Sequence, residues 1–122
     1  MKILVAGGGA AGMMAACTAA QAGAQVTLVE RNPFCGVKLN ITGKGRCNIT
    51  NDCDNETLLR NVLTNGRFLY SALSRFTSRD AMAFFEGCGV PLKVERGDRV
   101  FPVSDSAFDS TDALKRQVKT LG

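Results

Sequence analysis

The feature that most restricts this chain is a set of glycines at positions 7, 9 and 12, placed between an apolar run and an alanine-rich one. Lys2-Ile-Leu-Val-Ala6 is short, rich in β-branched and aliphatic residues, and closed by glycine, which predicts a buried strand. Ala10 to Ala22 is rich in Ala and Met and stops at Gly23, which predicts a helix. Gln25-Val-Thr-Leu-Val-Glu30 predicts a second strand. A β-α-β order this compact implies parallel strands joined by a right-handed crossover. Within it, Gly7 permits the tight turn, Gly9 lets a pyrophosphate approach the backbone, and Gly12 lets the helix pack close to the strand. Free N–H groups and the positive end of the helix dipole then face the phosphates. Glu30 closes the second strand, where an acid accepts hydrogen bonds from ribose hydroxyls and repels a 2′-phosphate. Arg31 suits a 2′-phosphate, but the acid beside it argues against one. The expected ligand is a dinucleotide with an unphosphorylated ribose. FAD and NAD share this fingerprint, and glycines that merely make a tight turn are the plain alternative.

Downstream, residues 31–55 read as a long connection with Pro33, Gly36, Gly43, Gly45 and many Asn. Helical stretches are expected near 56–64, 67–76 and 79–87. Pro91–Glu95 and Arg99–Val103 flank Arg96-Gly97-Asp98 as a hairpin, and a helix capped by Ser-Thr-Asp fills 110–121. Asp52 and Asp54 read as helix-capping acids, and Met13-Met14 and Phe84-Phe85 as core. The expected class is α/β, a Rossmann-like βαβ domain. Two parallel strands alone leave their sheet poorly covered. The expectation is therefore a truncated dinucleotide-binding domain over 1–122, the N-terminal part of a longer protein, without a substrate domain.

Composition narrows the chemistry. The 122 residues are 45% apolar and 21% charged, as in an ordinary globular domain. Histidine is absent, which excludes a Ser-His or Cys-His pair and any His-liganded metal site. The five cysteines form no C-x-x-C pair and are odd in number, so reduced thiols in a cytoplasmic protein are expected and no metal site is. Glycines interrupt the uncharged run from residue 3 to 24, which argues against a signal peptide or membrane span. The net charge of +4 comes wholly from Arg31, Lys38, Lys44 and Arg46, in a stretch without a carboxylate. That points to an anionic ligand, a solvated loop being the alternative. A single basic patch without repeated aromatic interleaving is a poor nucleic-acid footprint, so nucleic acid is not expected as a partner.

Choosing between FAD and NAD turns on Leu39-Asn-Ile-Thr-Gly-Lys-Gly-Arg-Cys-Asn-Ile-Thr-Asn51. Its two glycines allow close backbone approach to a planar or anionic ligand, and Lys44 and Arg46 place positive charge there. Reduced flavin carries negative charge at its N1–C2 carbonyl region, which such groups stabilise. These residues, with Gly7-Gly-Gly-Ala-Ala-Gly12, Glu30-Arg-Asn-Pro33, Gly36-Val-Lys38 and Gly89-Val-Pro-Leu-Lys-Val-Glu-Arg-Gly-Asp-Arg-Val-Phe-Pro102, resemble the aminoacetone oxidase-like family. Its members are FAD-dependent oxidoreductases of the two-dinucleotide-binding class, some assigned enone reduction in bile-acid breakdown. The resemblance implies that Gly7, Gly9, Ala10, Ala11 and Gly12 hold the FAD pyrophosphate and Glu30 the adenosine ribose. It also implies that Lys38, Gly43, Arg46, Cys47 and Asn48 lie towards the flavin. The expected activity is hydride transfer through flavin N5 to a small-molecule substrate in the longer protein, with NAD(P)H a candidate donor. An NAD-dependent dehydrogenase and a non-catalytic nucleotide-binding module are the alternatives. No catalytic side chain is assigned.

Overall fold

A computed structural model of the chain describes residues 1–122. The first thirty residues form the expected unit: β1 (Lys2–Ala6), α1 (Ala10–Gln21) and β2 (Gln25–Val29). The strands pair in parallel, from Lys2 opposite Gln25 to Ala6 opposite Val29. Alternation sets their faces. Ile3, Val5, Val26 and Leu28 are half-buried, whereas Leu4 is 68% and Val29 47% exposed. One face of this two-stranded sheet is therefore bare, unlike parallel sheets that are covered on both sides.

The second layer is antiparallel. β3 (Thr50–Asn51), β4 (Leu92–Glu95) and β5 (Arg99–Pro102) form a sheet in the order β3-β5-β4. The β4–β5 hairpin turns through Arg96–Asp98 with Gly97 at φ +75° and Asp98 at φ +59°, as an Arg-Gly-Asp turn should. β3 corrects the expectation of a structureless 31–55 connection, as does a 3₁₀ segment over Leu39–Gly45. Two residues are too short for an alternation signal, and their partner β5 lies far along the chain.

The helices fall near their expected places with tighter bounds: α2 (Asn55–Arg60), α3 (Tyr70–Arg75), α4 (Ser78–Gly87) and α5 (Ala107–Thr120). Gly66–Leu69 forms a 3₁₀ turn ahead of α3 rather than the start of one continuous helix. Asp54 caps α2 by accepting from the Thr57 amide at 2.7 Å. Asp52 caps nothing and faces Arg79 at 3.6 Å. Thr77 and Asp80 exchange bonds across the start of α4 as a capping box. Helix α5 begins at Ala107, ahead of the Ser-Thr-Asp run expected to cap it, and Ser110 and Thr111 are buried within the helix.

The core lies where α1 and α5 cross. Met13, Ala16 and Cys17 from α1 and Ala113 and Leu114 from α5 are buried, joined by Val100 and Phe101 of β5. Gly36 slides beneath Thr111, and a Cβ there would overlap the Thr111 methyl, so this glycine permits the close approach of the long connection to α5. All five cysteines are unpaired. No helix is long and apolar enough to cross a membrane.

Candidate nucleotide-binding site

The loop from β1 into α1 is held from both sides. Gly7 sits at φ +106°, and its amide donates to the Val29 carbonyl at 2.8 Å. The Gly8 amide donates to the Glu30 carboxylate at 2.7 Å, and the other carboxylate oxygen accepts from the Asn32 amide at 2.9 Å. These bonds, Asn32 first, hold the Glu30 pKa below the usual carboxylate range. The half-buried acid is thus ionised and oriented at the end of β2. A Cβ on Gly12 would overlap the Gly7 carbonyl oxygen, so glycine is required where helix meets loop. A Cβ on Gly9 would meet nothing within 4 Å. This glycine is not required by the fold and leaves open space before the helix.

Helix α1 begins there without a capping side chain and with no acid in its first turn. Its opening amides therefore point at that space without an internal partner. A single cleft of about 350 Å³ joins this first turn to the Leu39–Asn51 segment. Ala10, Ala11 and Met14 form one wall, and Thr42, Cys47 and Asn48 the facing one. The remaining lining is apolar and includes Phe76 and Phe85. Met14 and Phe85 thus line a cavity, although the sequence placed both in the core; their neighbour Met13 is the one that is buried. The signal for that wall was helical spacing, since Ala10 and Met14 on α1 and Ala81 and Phe85 on α4 are each four apart.

Within the loop, Gly43 at φ +56° passes so close to Asn48 that a Cβ would lie 2.7 Å from the Asn48 amide nitrogen. Asn48 ties the segment to the sheet, its side-chain amide facing the Val100 and Thr50 carbonyls at 3.2 and 2.9 Å. Cys47 is buried at φ +60°, and burial pushes its thiol pKa up. Arg46 bridges Glu95 at 2.5 Å and Asp105 at 2.7 Å, and its guanidinium lies over the Phe101 ring at 3.9 Å. Lys93 reaches the same two acids at 3.1 and 2.8 Å. The loop cation is thereby matched by carboxylates. Arg31, Lys38 and Lys44 are exposed and form no ion pair.

The HI0933-like protein Rossmann domain family matches residues 1–122. The chain belongs to that family. Curated relatives agree. It is 32% identical over 120 residues to a 3-dehydro-bile acid delta(4,6)-reductase of Clostridium scindens, covering 97% of this chain and 29% of the relative. It is 33% identical over 111 residues to a ribosomal RNA dihydrouridine synthase of Escherichia coli, covering 91% and 27%. The Haemophilus influenzae ribosomal RNA dihydrouridine synthase is 32% identical over 119 residues, covering 98% and 29%. The chain thus spans under a third of the length of the curated relatives it matches. A Rossmann nucleotide-binding domain of an oxidoreductase family is the resulting assignment.

The relatives also correct one expectation. The expectation of no nucleic-acid partner rests on the stretch from Arg31 to Arg46, which carries a single aromatic, Phe34, and no repeated interleaving of rings and cations. Two members of the family are named for ribosomal RNA, so that exclusion falls. Its ground was too narrow: the second cation-rich stretch, from residue 57 to 79, does carry aromatics, and its arginines were hidden by a balanced count over the C-terminal part of the chain.

Proposed function

We propose that this chain is the FAD-binding part of a flavin-dependent reductase. The observation that carries the reading is the single cleft in which Ala10 and Ala11 of the glycine fingerprint face Thr42, Cys47 and Asn48. A dinucleotide with a large planar head fits such a cleft: anion-binding amides stand at one wall and apolar side chains line the rest. In this reading Gly7, Gly9 and Gly12 shape the pyrophosphate loop and the ionised Glu30 accepts from the ribose hydroxyls. Cys47 and Asn48 border the ring, and Gly43 lets their segment fold tightly. Arg46, clamped between Glu95 and Asp105, fixes the segment's position. Arg31 and Lys38 remain available to phosphate. When bound, a flavin supplies hydride from N5.

The relatives' names share one chemistry, saturation of a carbon–carbon double bond: dihydrouridine is uridine with its ring double bond reduced. The substrate class proposed here is a double bond conjugated to a carbonyl, in a small molecule or in an RNA base. Hydride adds to the carbon β to the carbonyl and a proton to the α carbon. NAD(P)H is the proposed electron donor. The bare face of the β1–β2 pair supports a substrate domain supplied by further chain, and the five unpaired cysteines support a cytoplasmic location.

The experiment is to purify the protein, record its visible spectrum and identify the nucleotide released on heating. Released FAD is the expected result. A protein that binds NADH and fails to bind added FAD overturns the reading in favour of a nicotinamide-dependent dehydrogenase.

A further inference from the structure

Between Glu56 and Asp80 the chain carries Arg60, Arg67, Arg75 and Arg79 and not one acid. Arg79 faces Asp52 at 3.6 Å, but the other three are exposed and form no ion pair. Large rings stand among them in solvent, Phe68 at 86% and Tyr70 at 59% exposed. The turn at Gly66–Leu69 packs back on the end of α2, with Gly66 beside Val62 and the Leu59 carbonyl. Two hollows result. One holds Arg60 and Tyr70 with Asn55 and Ser74, and has Glu56 at its edge. The other holds Arg67 and Phe68 with Thr64 and Asn65. Each places a guanidinium and an aromatic face beside an amide and a hydroxyl.

That combination has a chemical reading. Arginines that form no ion pair attract a polyanion, Arg60 less strongly because Glu56 shares its hollow, and the rings give unstacked bases a surface to lie on. Side-chain amides and hydroxyls can bond base edges. A free phosphate satisfies the cations and leaves the rings in water, and an anionic membrane, which takes up both, is separated from RNA by the vesicle arm of the test. We propose that this segment, from the end of α2 to the end of α3, is a surface that binds single-stranded RNA. The proposal rests on the RNA arm of the function proposed above and deepens it by naming where substrate RNA is held.

The test is fluorescence anisotropy of the purified protein with a short labelled single-stranded RNA across a salt series. Flavin binding and thermal unfolding are read on the same samples. Single-strand binding weakens with salt at roughly 0.7 log units per log unit for each neutralised phosphate, so three unpaired arginines predict a slope of about −2. Replacing Arg67→Ala and Arg75→Ala together should bring it to about −0.7, while Arg67→Lys keeps the wild-type slope. Phe68→Ala or Tyr70→Ala should weaken binding about tenfold and leave the slope unchanged. The proposal is overturned by absence of RNA binding, by affinity that these substitutions do not alter, or by equal retention on phosphatidylserine vesicles. It is also overturned if they lower the unfolding temperature while RNA affinity stays the same, the mark of a face covered by protein. Flavin binding that survives alongside any of these failures leaves the FAD reading standing. Loss of flavin binding in the wild-type protein removes the reading on which this one rests.

Discussion

Replacing Gly12→Ala sets two opposing effects against each other, and the structure decides the sign. Gly12 lies in the first turn of α1, where alanine ordinarily gains about 1 kcal/mol over glycine. Here the new methyl would overlap the Gly7 carbonyl oxygen, with Val5 Cγ1 a further 3.6 Å contact. The obstacle is main chain, so no rotamer can swing clear. Nor can the loop retreat freely, because the Gly7 amide is bonded to Val29 at 2.8 Å. Overpacking of this kind costs about 1–3 kcal/mol, and an immobile obstacle puts it at the upper end, about 3. Subtracting the helix gain leaves a net loss of about 2 kcal/mol. With an unfolding entropy near 2.1 cal/mol/K per residue, a chain of 122 residues has about 0.26 kcal/mol/K, and Tm should fall by about 8 °C. Differential scanning fluorimetry of the cofactor-free protein reads this directly. A Tm that is unchanged, or raised by the few degrees that helix propensity alone would give, refutes the packing argument.

Gly9→Val tests the opposite case: its side chain meets nothing in the fold, so Tm should move by no more than about 4 °C, the loss of a tolerant N-cap residue, while FAD affinity in a flavin-fluorescence titration falls at least about 100-fold. Unchanged affinity would place the pyrophosphate elsewhere. Because the Glu30 pKa is lowered in the folded state, its stabilising effect is complete above the ordinary carboxylate value of 4.5 and is lost as pH falls through the folded value. Glu30→Gln should accordingly flatten the Tm profile below that pH, and a profile identical to wild type would show that the Gly8 and Asn32 amides do not hold the acid. Arg46→Ala converts a neutral quartet of Arg46, Lys93, Glu95 and Asp105 into one with net charge −1, which should lower the reduction potential of bound flavin. A potential that does not move would remove that charge from the flavin's surroundings. Buried Cys47, with its raised pKa, should resist iodoacetamide at neutral pH until the protein unfolds, whereas labelling at the rate of a free thiol would contradict its burial.

The parts of the fold that could be read from the chain are those where local chemistry and tertiary role coincide. The βαβ unit is one, since the strand alternation, the helix stop at Gly23 and the glycine fingerprint all describe the same thirty residues. The Arg-Gly-Asp hairpin is another. The start of α5 was misplaced because Ser110 and Thr111 look like caps but are buried, with the Thr111 hydroxyl bonded to Ala107 O at 3.1 Å. Helix interior and helix cap use the same residue types, and only the packing against α1 and Gly36 selects between them. β3 was invisible for a different reason: its signal belongs to β5, nearly fifty residues away, and two residues carry no period of their own.

Charge shows the same division within the site. Arg46 stood out in the sequence because no acid lies near it along the chain, yet the fold brings two acids to it from 49 and 59 residues away. Local charge imbalance therefore does not identify a free cation until long-range pairing is known. The reverse holds for residues 57–79, whose arginines are cancelled in the C-terminal count by acids elsewhere but remain unpaired in space, Arg79 excepted. Counting charge by segment finds both stretches; only the pairing geometry shows that Arg46 of the first holds a loop in place, while Arg60, Arg67 and Arg75 of the second are left facing solvent. A polyanion can be held by arginines of the second kind, and not by one whose charge Glu95 and Asp105 already match.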